Sequence, residues 1–153
     1  MYLEIERRFL VDKKKLVFPN SKKTIQQAYL MVDEHQVLRV RKIEDDFFLT
    51  YKYKKTNINR LEFEYPISND DGDKLLSLSK NFIIEKDRYY YPADNHTWEI
   101  DVFYGKNNGL IIAEIELEDE NEDIKIPDWI TKEISNEDKY LNFNLSINPY
   151  MLW

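Results

Sequence analysis

Residues 3 to 11 read Leu-Glu-Ile-Glu-Arg-Arg-Phe-Leu-Val, with polar and apolar side chains alternating. Glu4, Glu6 and Arg8 fall on one side of an extended chain, and Leu3, Ile5, Phe9 and Val11 on the other. The same period of two recurs along most of the sequence. It predicts strands near 2–11, 25–33, 36–43, 47–56, 58–67, 81–91, 97–104 and 110–119. Short turn-like links join them at 33–36, 43–46, 56–59, 92–95 and 105–109. Helical patterns are confined to 68–79, 127–134 and 135–143, the last opening with Ser135 three residues before Asp138 in a capping-box-like start. The expected fold class is α+β, mainly antiparallel β. An eight-stranded sheet closes into a barrel, since closure removes exposed edges, and a few helices cover it.

Parity sorts the charges by face. Arg39 and Arg41 alternate with Leu38 and Val40, and Lys52 and Lys54 oppose Tyr51 and Tyr53. Arg60, Glu62 and Glu64 stand against Leu61, Phe63 and Tyr65, and Lys86 and Arg88 share one side of 81–91. Glu99 and Asp101 oppose Trp98, Ile100 and Val102, while Glu114, Glu116 and Glu118 oppose Ala113, Ile115 and Leu117. Three strands therefore bring only cations to this face and two bring only anions. A hairpin across 105–109 is expected to set Asp101 opposite Glu114 and Glu99 opposite Glu116. One across 43–46 is expected to set Arg41 opposite Lys52 and Arg39 opposite Lys54. Like charges about 5 Å apart at an effective dielectric near 20 repel by roughly 3 kcal/mol. Ligands offset that cost: metal cations on the carboxylate rows and a polyanion on the Arg and Lys rows. Carboxylates without His or Cys suit Mg²⁺ or Mn²⁺, and guanidinium forks suit phosphate oxygens.

The chain has 153 residues, 42% of them hydrophobic, which is enough for one domain with a sizeable core spanning 1–153. A formal charge of −7 argues against bulk attraction to nucleic acid or an anionic membrane. The absence of cysteine excludes disulfides, thiolate metal sites and Cys nucleophiles and fits a reducing compartment. No signal peptide or membrane span is read, so a cytoplasmic protein is expected. The three glycines make no phosphate-binding loop, no Gly-x-Ser-x-Gly elbow occurs, and His35 and His96 fall in expected turns. The acidic stretch at 118–123 reads as a solvated loop, with Glu118 near a barrel mouth.

"EIERR" resembles the Glu-x-Glu-x-Lys motif of the CYTH superfamily, the triphosphate tunnel metalloenzymes, with Arg8 at the lysine position. The likeness continues in order through "QAYL", "LRVRK", "LTYKYK", "RLEFEYPI", "IEKDRYYY", "WEIDVF", "GLIIAEIELE" and "PDWITKEI", covering roughly residues 2 to 141. The resemblance implies an eight-stranded tunnel whose interior binds a triphosphate and a divalent metal, with helices packed outside. Arg8, Arg39, Arg41, Lys52, Lys86 and Arg88 match the family's phosphate-binding cations. Glu4, Glu6, Glu62, Glu64, Asp101, Glu114 and Glu116 match its acidic positions, from which metal ligands are drawn. Tyr29 shares a face with Gln27; cations facing its phenol could lower its pKa and make it a proton acceptor, the alternative being a tyrosine that only hydrogen-bonds as part of the tunnel wall. Arg8 cannot give up a proton as a lysine can: if the family lysine only neutralises phosphate, Arg8 serves, and if it acts as an acid, the reaction is slower or uses another group. The tail after Asn142 has no counterpart in the resemblance.

The implied activity is metal-assisted hydrolysis of inorganic tripolyphosphate or a nucleoside triphosphate. Glu4 and Glu6 are the expected catalytic carboxylates beside Tyr29, and Mg²⁺ or Mn²⁺ the cofactor. A class IV-type adenylate cyclase, a thiamine triphosphatase and a non-catalytic polyphosphate-binding module are the rivals. An RNA-binding sheet fits poorly, because Tyr51 and Tyr53 face away from Lys52 and Lys54.

Overall fold

The computed structural model describes residues 2–153. Its strands are β1 (Tyr2–Val11), β2 (Lys22–Val32), β3 (Gln36–Ile43), β4 (Asp46–Lys54), β5 (Asn59–Ile67), β6 (Ile84–Ala93), β7 (His96–Phe103), β8 (Ile111–Glu116) and β9 (Ile130–Glu133). The helices are α1 (Asn69–Ser77) and α2 (Asn142–Ile147). Every strand pair is antiparallel, in the order β5-β4-β3-β2-β6-β7-β8-β1, and β5 pairs with β1 to close the barrel. The expected closed eight-stranded barrel is therefore observed.

An extra strand was not expected. Residues 127–134 are not a helix: they turn at Asp128 and Trp129 and enter β9. β5 pairs with β1 only over residues 2–5, which leaves that edge of β1 open further along. β9 takes the open edge, with Phe9 opposite Glu133 and Leu10 opposite Lys132. A free edge offers backbone partners that outweigh a helix-like sequence pattern, and Ile130 and Thr131 are β-branched. Ser135 does not cap a helix either. Its hydroxyl accepts from the Arg8 backbone N–H at 3.0 Å and donates to Glu133 at 2.7 Å. In place of a helix at 135–143 there is one 3₁₀ turn, Asp138–Tyr140, before α2.

The apolar faces of the strands point outward and are covered in two patches. Ile5, Phe9, Trp98, Ile100 and Ile115 pack with Leu16 and Trp129, where the two indoles meet edge-to-face at 5.4 Å. Ala28, Val40 and Phe47 lie beneath Leu75 and Leu76 of α1. Ser68 caps α1, accepting from the Asp71 N–H at 3.1 Å, as the expected start at 68 requires.

A third cluster lies at one end of the barrel. Ile84, Phe103 and Ile112 have the inward parity of Lys86, Asp101 and Glu114, yet they are apolar. They pack with Ile134, Tyr140 and Leu145 from the C-terminal segment. That segment seals this end of the lumen, so α2 is an end plug and not an outer cover.

Candidate active site in the barrel lumen

The lumen is a cavity of about 880 Å³ lined mainly by strand side chains of inward parity, with the β2–β3 turn and the C-terminal segment supplying the rest. Tertiary register, not strand parity alone, decides which charges meet. The two-residue turn at Glu44 and Asp45 pairs Ile43 with Asp46, which puts Arg39 opposite Thr50, Arg41 opposite Phe48 and Lys52 opposite Val37. The expected cation pairs across β3 and β4 do not form. The β7–β8 register is also two residues from the expected one, because the link holds a 3₁₀ turn at Gly105–Asn107. Glu99, not Asp101, stands opposite Glu114, and Asp101 faces Ile112. Glu116 meets Glu6 across β1 and β8. Repulsion between carboxylates is real in this lumen, with different partners from those expected.

The cationic wall is held by a few buried anions. Asp101 is fully buried and accepts two bonds from Arg88, at 2.8 and 2.9 Å, and one from Lys86 at 2.8 Å. Burial alone would raise its pKa, but Arg88 and Lys86 hold it well below the usual carboxylate range. Glu64 accepts from Arg41 at 2.9 Å and Thr50 at 2.7 Å, and Arg41 and Thr50 keep it ionised against burial. Neither Asp101 nor Glu64 lines the cavity, and their oxygens accept from Arg88, Lys86, Arg41 and Thr50.

Arg39 and Arg41 are both buried in side-chain terms, and the Nε of each has no protein partner. Burial, together with Arg39 and Arg88 nearby, pulls the Arg41 pKa down to about 10. Burial pulls Lys86 down to about 8, so it remains charged at neutral pH. Lys52 is half-buried, and Glu4 and Glu6 outweigh the desolvation and raise it. Its ammonium donates to Glu4 at 3.0 Å and lies 3.8 Å from Glu62. Arg8 is 3% exposed and stands opposite Glu114; burial lowers its pKa while Glu114 and Glu6 oppose the shift.

The opposite wall carries Glu4, Glu6, Glu62, Glu99, Glu114 and Glu116. Arg60 satisfies Glu6 at 2.8 Å, and Arg88 satisfies Glu99 at 2.7 Å. Glu99 and Glu114 are raised chiefly by burial. Glu116 is raised to about 7 by burial and by Glu4, Glu99, Glu6 and Glu62. Among the described residues, no three carboxyl or imidazole groups converge into a ready-made metal cage. A carboxylate set with surplus negative charge nevertheless fits a hard divalent cation that takes one or two carboxylates and completes its shell with water and phosphate oxygens.

An eight-stranded lumen with one wall of clamped guanidinium and ammonium groups and another of crowded carboxylates is a known architecture. The CYTH domain family model matches residues 2–144. The chain belongs to the CYTH family. It is 42% identical over 148 residues to an inorganic triphosphatase of Acetivibrio thermocellus, covering 96% of this chain and 95% of that one. It is 29% identical over 152 residues to an inorganic triphosphatase of Nitrosomonas europaea, covering 95% and 97%. The crystal structure of the inorganic triphosphatase NE1496 superposes with a TM-score of 0.68 at 28% identity, covering 96% of each chain.

Within this CYTH tunnel, Tyr29 lies where the sequence places it, facing the lumen beside Gln27. Burial raises the phenol pKa, and the pull of Arg39, Lys52 and Arg41 does not overcome it. That direction holds the proton on the Tyr29 oxygen.

Glu99, Arg60, Gln27 and Asn142 are among the lumen residues outside the expected site set. Glu99 and Arg60 were visible in the alternation but carried no family match. Gln27 was visible only as a neighbour of Tyr29. Asn142 had no signal, because nothing local in the C-terminal segment says that it folds back to the lumen. Glu118 does not line the cavity; its backbone N–H donates to Glu122 in the acidic loop. His96 also contacts Glu122 there, outside the lumen. No helix among the described residues is long and apolar enough to cross a membrane.

Proposed function

We propose that this CYTH chain, as one tunnel domain over 1–153, hydrolyses a terminal phosphoanhydride of inorganic tripolyphosphate with Mg²⁺ or Mn²⁺ as cofactor. Two sorted walls facing one closed-ended cavity carry the reading, supported by the identity to relatives named inorganic triphosphatase. Water adds to the terminal phosphorus, the bridging P–O bond breaks, and orthophosphate and pyrophosphate leave.

Arg39, Arg41, Arg88, Lys52, Lys86 and Arg8 bind the phosphate oxygens and stabilise charge on the transferring group. Arg39 and Arg41 each bring an uncommitted Nε, which a phosphate oxygen can satisfy. Arg8 is a fixed cation that cannot donate its proton. Tyr29 donates its O–H to the substrate. Glu4, Glu6, Glu62, Glu114 and Glu116 are the residues that would hold the divalent ion, with Glu99 beside them. When bound, the ion supplies Lewis-acid polarisation of phosphate oxygens and a more acidic water. The substrate is a small triphosphate, with neither nucleic acid nor membrane as partner, and a cytoplasmic setting belongs to the same reading.

The test resolves all products from tripolyphosphate and from ATP, with and without Mg²⁺ or Mn²⁺. Metal-dependent orthophosphate and pyrophosphate from tripolyphosphate are expected, with ATP cleaved more slowly. Cyclic AMP from ATP would move the chain to the cyclase branch, and binding without turnover would remove the enzyme reading.

A further inference from the structure

The plug at the closed end reaches the lumen through one amide. Asn142, the first residue of α2, accepts at Oδ1 from Lys86 Nζ at 2.9 Å and from Gln27 Nε2 at 2.9 Å. An ammonium only donates, so the Asn142 atom facing Lys86 is the oxygen. The Gln27 atom facing that oxygen is then the nitrogen. The same nitrogen donates to the Tyr29 hydroxyl oxygen at 2.8 Å.

A count of donors gives this chain its significance. Lys86 has three N–H groups and uses two, one on Asn142 and one on Asp101 at 2.8 Å. Tyr29 receives a bond from Gln27, so its own O–H is not spent there. Both residues line the cavity, and each has a donor left for an anion inside it. Gln27 is fully buried with its Oε1 unpartnered. Turning the Gln27 amide over would satisfy that oxygen with the Tyr29 proton, which the lumen would then lose. The Asn142 oxygen forbids the flip, since two amide oxygens would face each other.

We propose that Asn142 is a positioning residue for the triphosphatase reaction: its single amide oxygen orients Lys86 and, through Gln27, Tyr29, so that each directs a free donor at the phosphate chain. This assignment rests on the hydrolase reading above. Without Asn142, Lys86 retains only Asp101, which already accepts two bonds from Arg88, and the ammonium settles onto the wall. The apolar contacts of Leu145 and Tyr140 keep the C-terminal segment docked when the two hydrogen bonds to Asn142 are removed.

The experiment compares tripolyphosphate hydrolysis and thermal melting in the full chain for wild type, Asn142→Ala, Asn142→Asp, Lys86→Met and Asn142→Ala/Lys86→Met. Asn142→Ala is expected to lower kcat by about 10- to 100-fold, with KM changed by less than about threefold and melting little altered. Asn142→Asp keeps the acceptor, so it recovers much of kcat, while its negative charge raises KM. The double variant is expected to be slower than Lys86→Met by less than the full Asn142→Ala factor, because the part acting through Lys86 is already lost and only the part acting through Gln27 and Tyr29 remains. A wild-type kcat in Asn142→Ala overturns the assignment, as does a folded Asn142→Asp no faster than Asn142→Ala. A loss that adds fully to that of Lys86→Met also overturns it. A wild type that leaves tripolyphosphate uncut removes the hydrolase reading and this assignment together. An active wild type with an unaffected Asn142→Ala removes this assignment alone.

Discussion

Glu6 on β1 stands directly opposite Glu116 on β8, and two residues back along β8, Glu114 stands opposite Glu99 on β7. Two like-charged cross-strand pairs on adjoining strands would be costly on an ordinary solvated sheet. Here they concentrate negative charge on one wall of a closed barrel, where a divalent cation can neutralise it.

Metal-free stability is therefore expected to fall as pH rises toward neutrality. Glu116 titrates near 7 in the folded chain against an ordinary value of 4.5. Between those values the folded state holds a proton that the unfolded state has lost, so raising the pH favours unfolding. Glu99 and Glu114 are shifted in the same direction. Discounted for the solvent exposure of Glu116, its effect is about 1–2 kcal/mol, or a few degrees in melting temperature. Melting in chelator from pH 4.5 to 7.5 checks the slope. Glu116→Gln should flatten it, and added Mg²⁺ should raise melting most at the upper end.

At low pH the sign reverses. Asp101, Glu62 and Glu64 have depressed pKa values, so their contribution is fully present above the ordinary carboxylate range. It is lost as pH falls through their folded values. Asp101→Asn is expected to destabilise the chain and remove this part of the acid transition. It leaves Arg88 and Lys86 without their shared carboxylate, and loss of one partner from a buried pair costs about 3–5 kcal/mol. Acid titration followed by circular dichroism distinguishes it from wild type.

Arg39→Lys tests the phosphate wall. Arg39 donates to Thr50 at 3.3 Å, lies 3.6 Å from Glu64 and has a free Nε. A lysine keeps the charge but loses the fork. The expected loss in kcat/KM for tripolyphosphate is about 10- to 100-fold, or about 1.4–2.7 kcal/mol, with little change in melting.

Glu4→Gln tests the carboxylate wall. It removes one candidate metal donor and the charged partner of Lys52. The Mg²⁺ concentration giving half-maximal activity is expected to rise by about tenfold or more. An unchanged metal requirement in a folded variant would take Glu4 out of the metal site.

Gly72→Ala separates local propensity from packing. In an exposed helix this exchange stabilises by about 1 kcal/mol. In α1, a Cβ at Gly72 would lie 2.2 Å from the Phe47 ring, so overpacking of about 1–3 kcal/mol is expected to win. Urea unfolding reads the sign directly.

Most of the barrel was legible because alternation is a local property. Glu4, Glu6 and Arg8 face the lumen for the same reason that Ile5 and Phe9 face the outer core: successive side chains on a strand point opposite ways. Eight strands with short links leave closure as the way to protect their edges. The residue types then suggested phosphate and a divalent ion before any contact was known.

Contacts between distant segments were not legible. β9 exists because β5 leaves part of the β1 edge open, and residues 127–134 answer to that edge more than to their own pattern. Register depended on the two-residue turn at 44–45 and the 3₁₀ turn at 105–107, which shifted Arg39 to Thr50 and Glu99 to Glu114. Burial raises the Tyr29 phenol pKa against the pull of the neighbouring cations, because desolvation is set by what surrounds a group and not by its strand.

The sequence by itself determined the barrel, the inward face and the sorting of cations from carboxylates, since each follows from residue type and a period of two. Tertiary structure alone decided that Asp101 and Glu64 clamp cations, that Glu116 keeps its proton to about 7, and that Asn142 enters the lumen. Those outcomes depend on distances and desolvation between segments far apart in the chain, which no local pattern encodes.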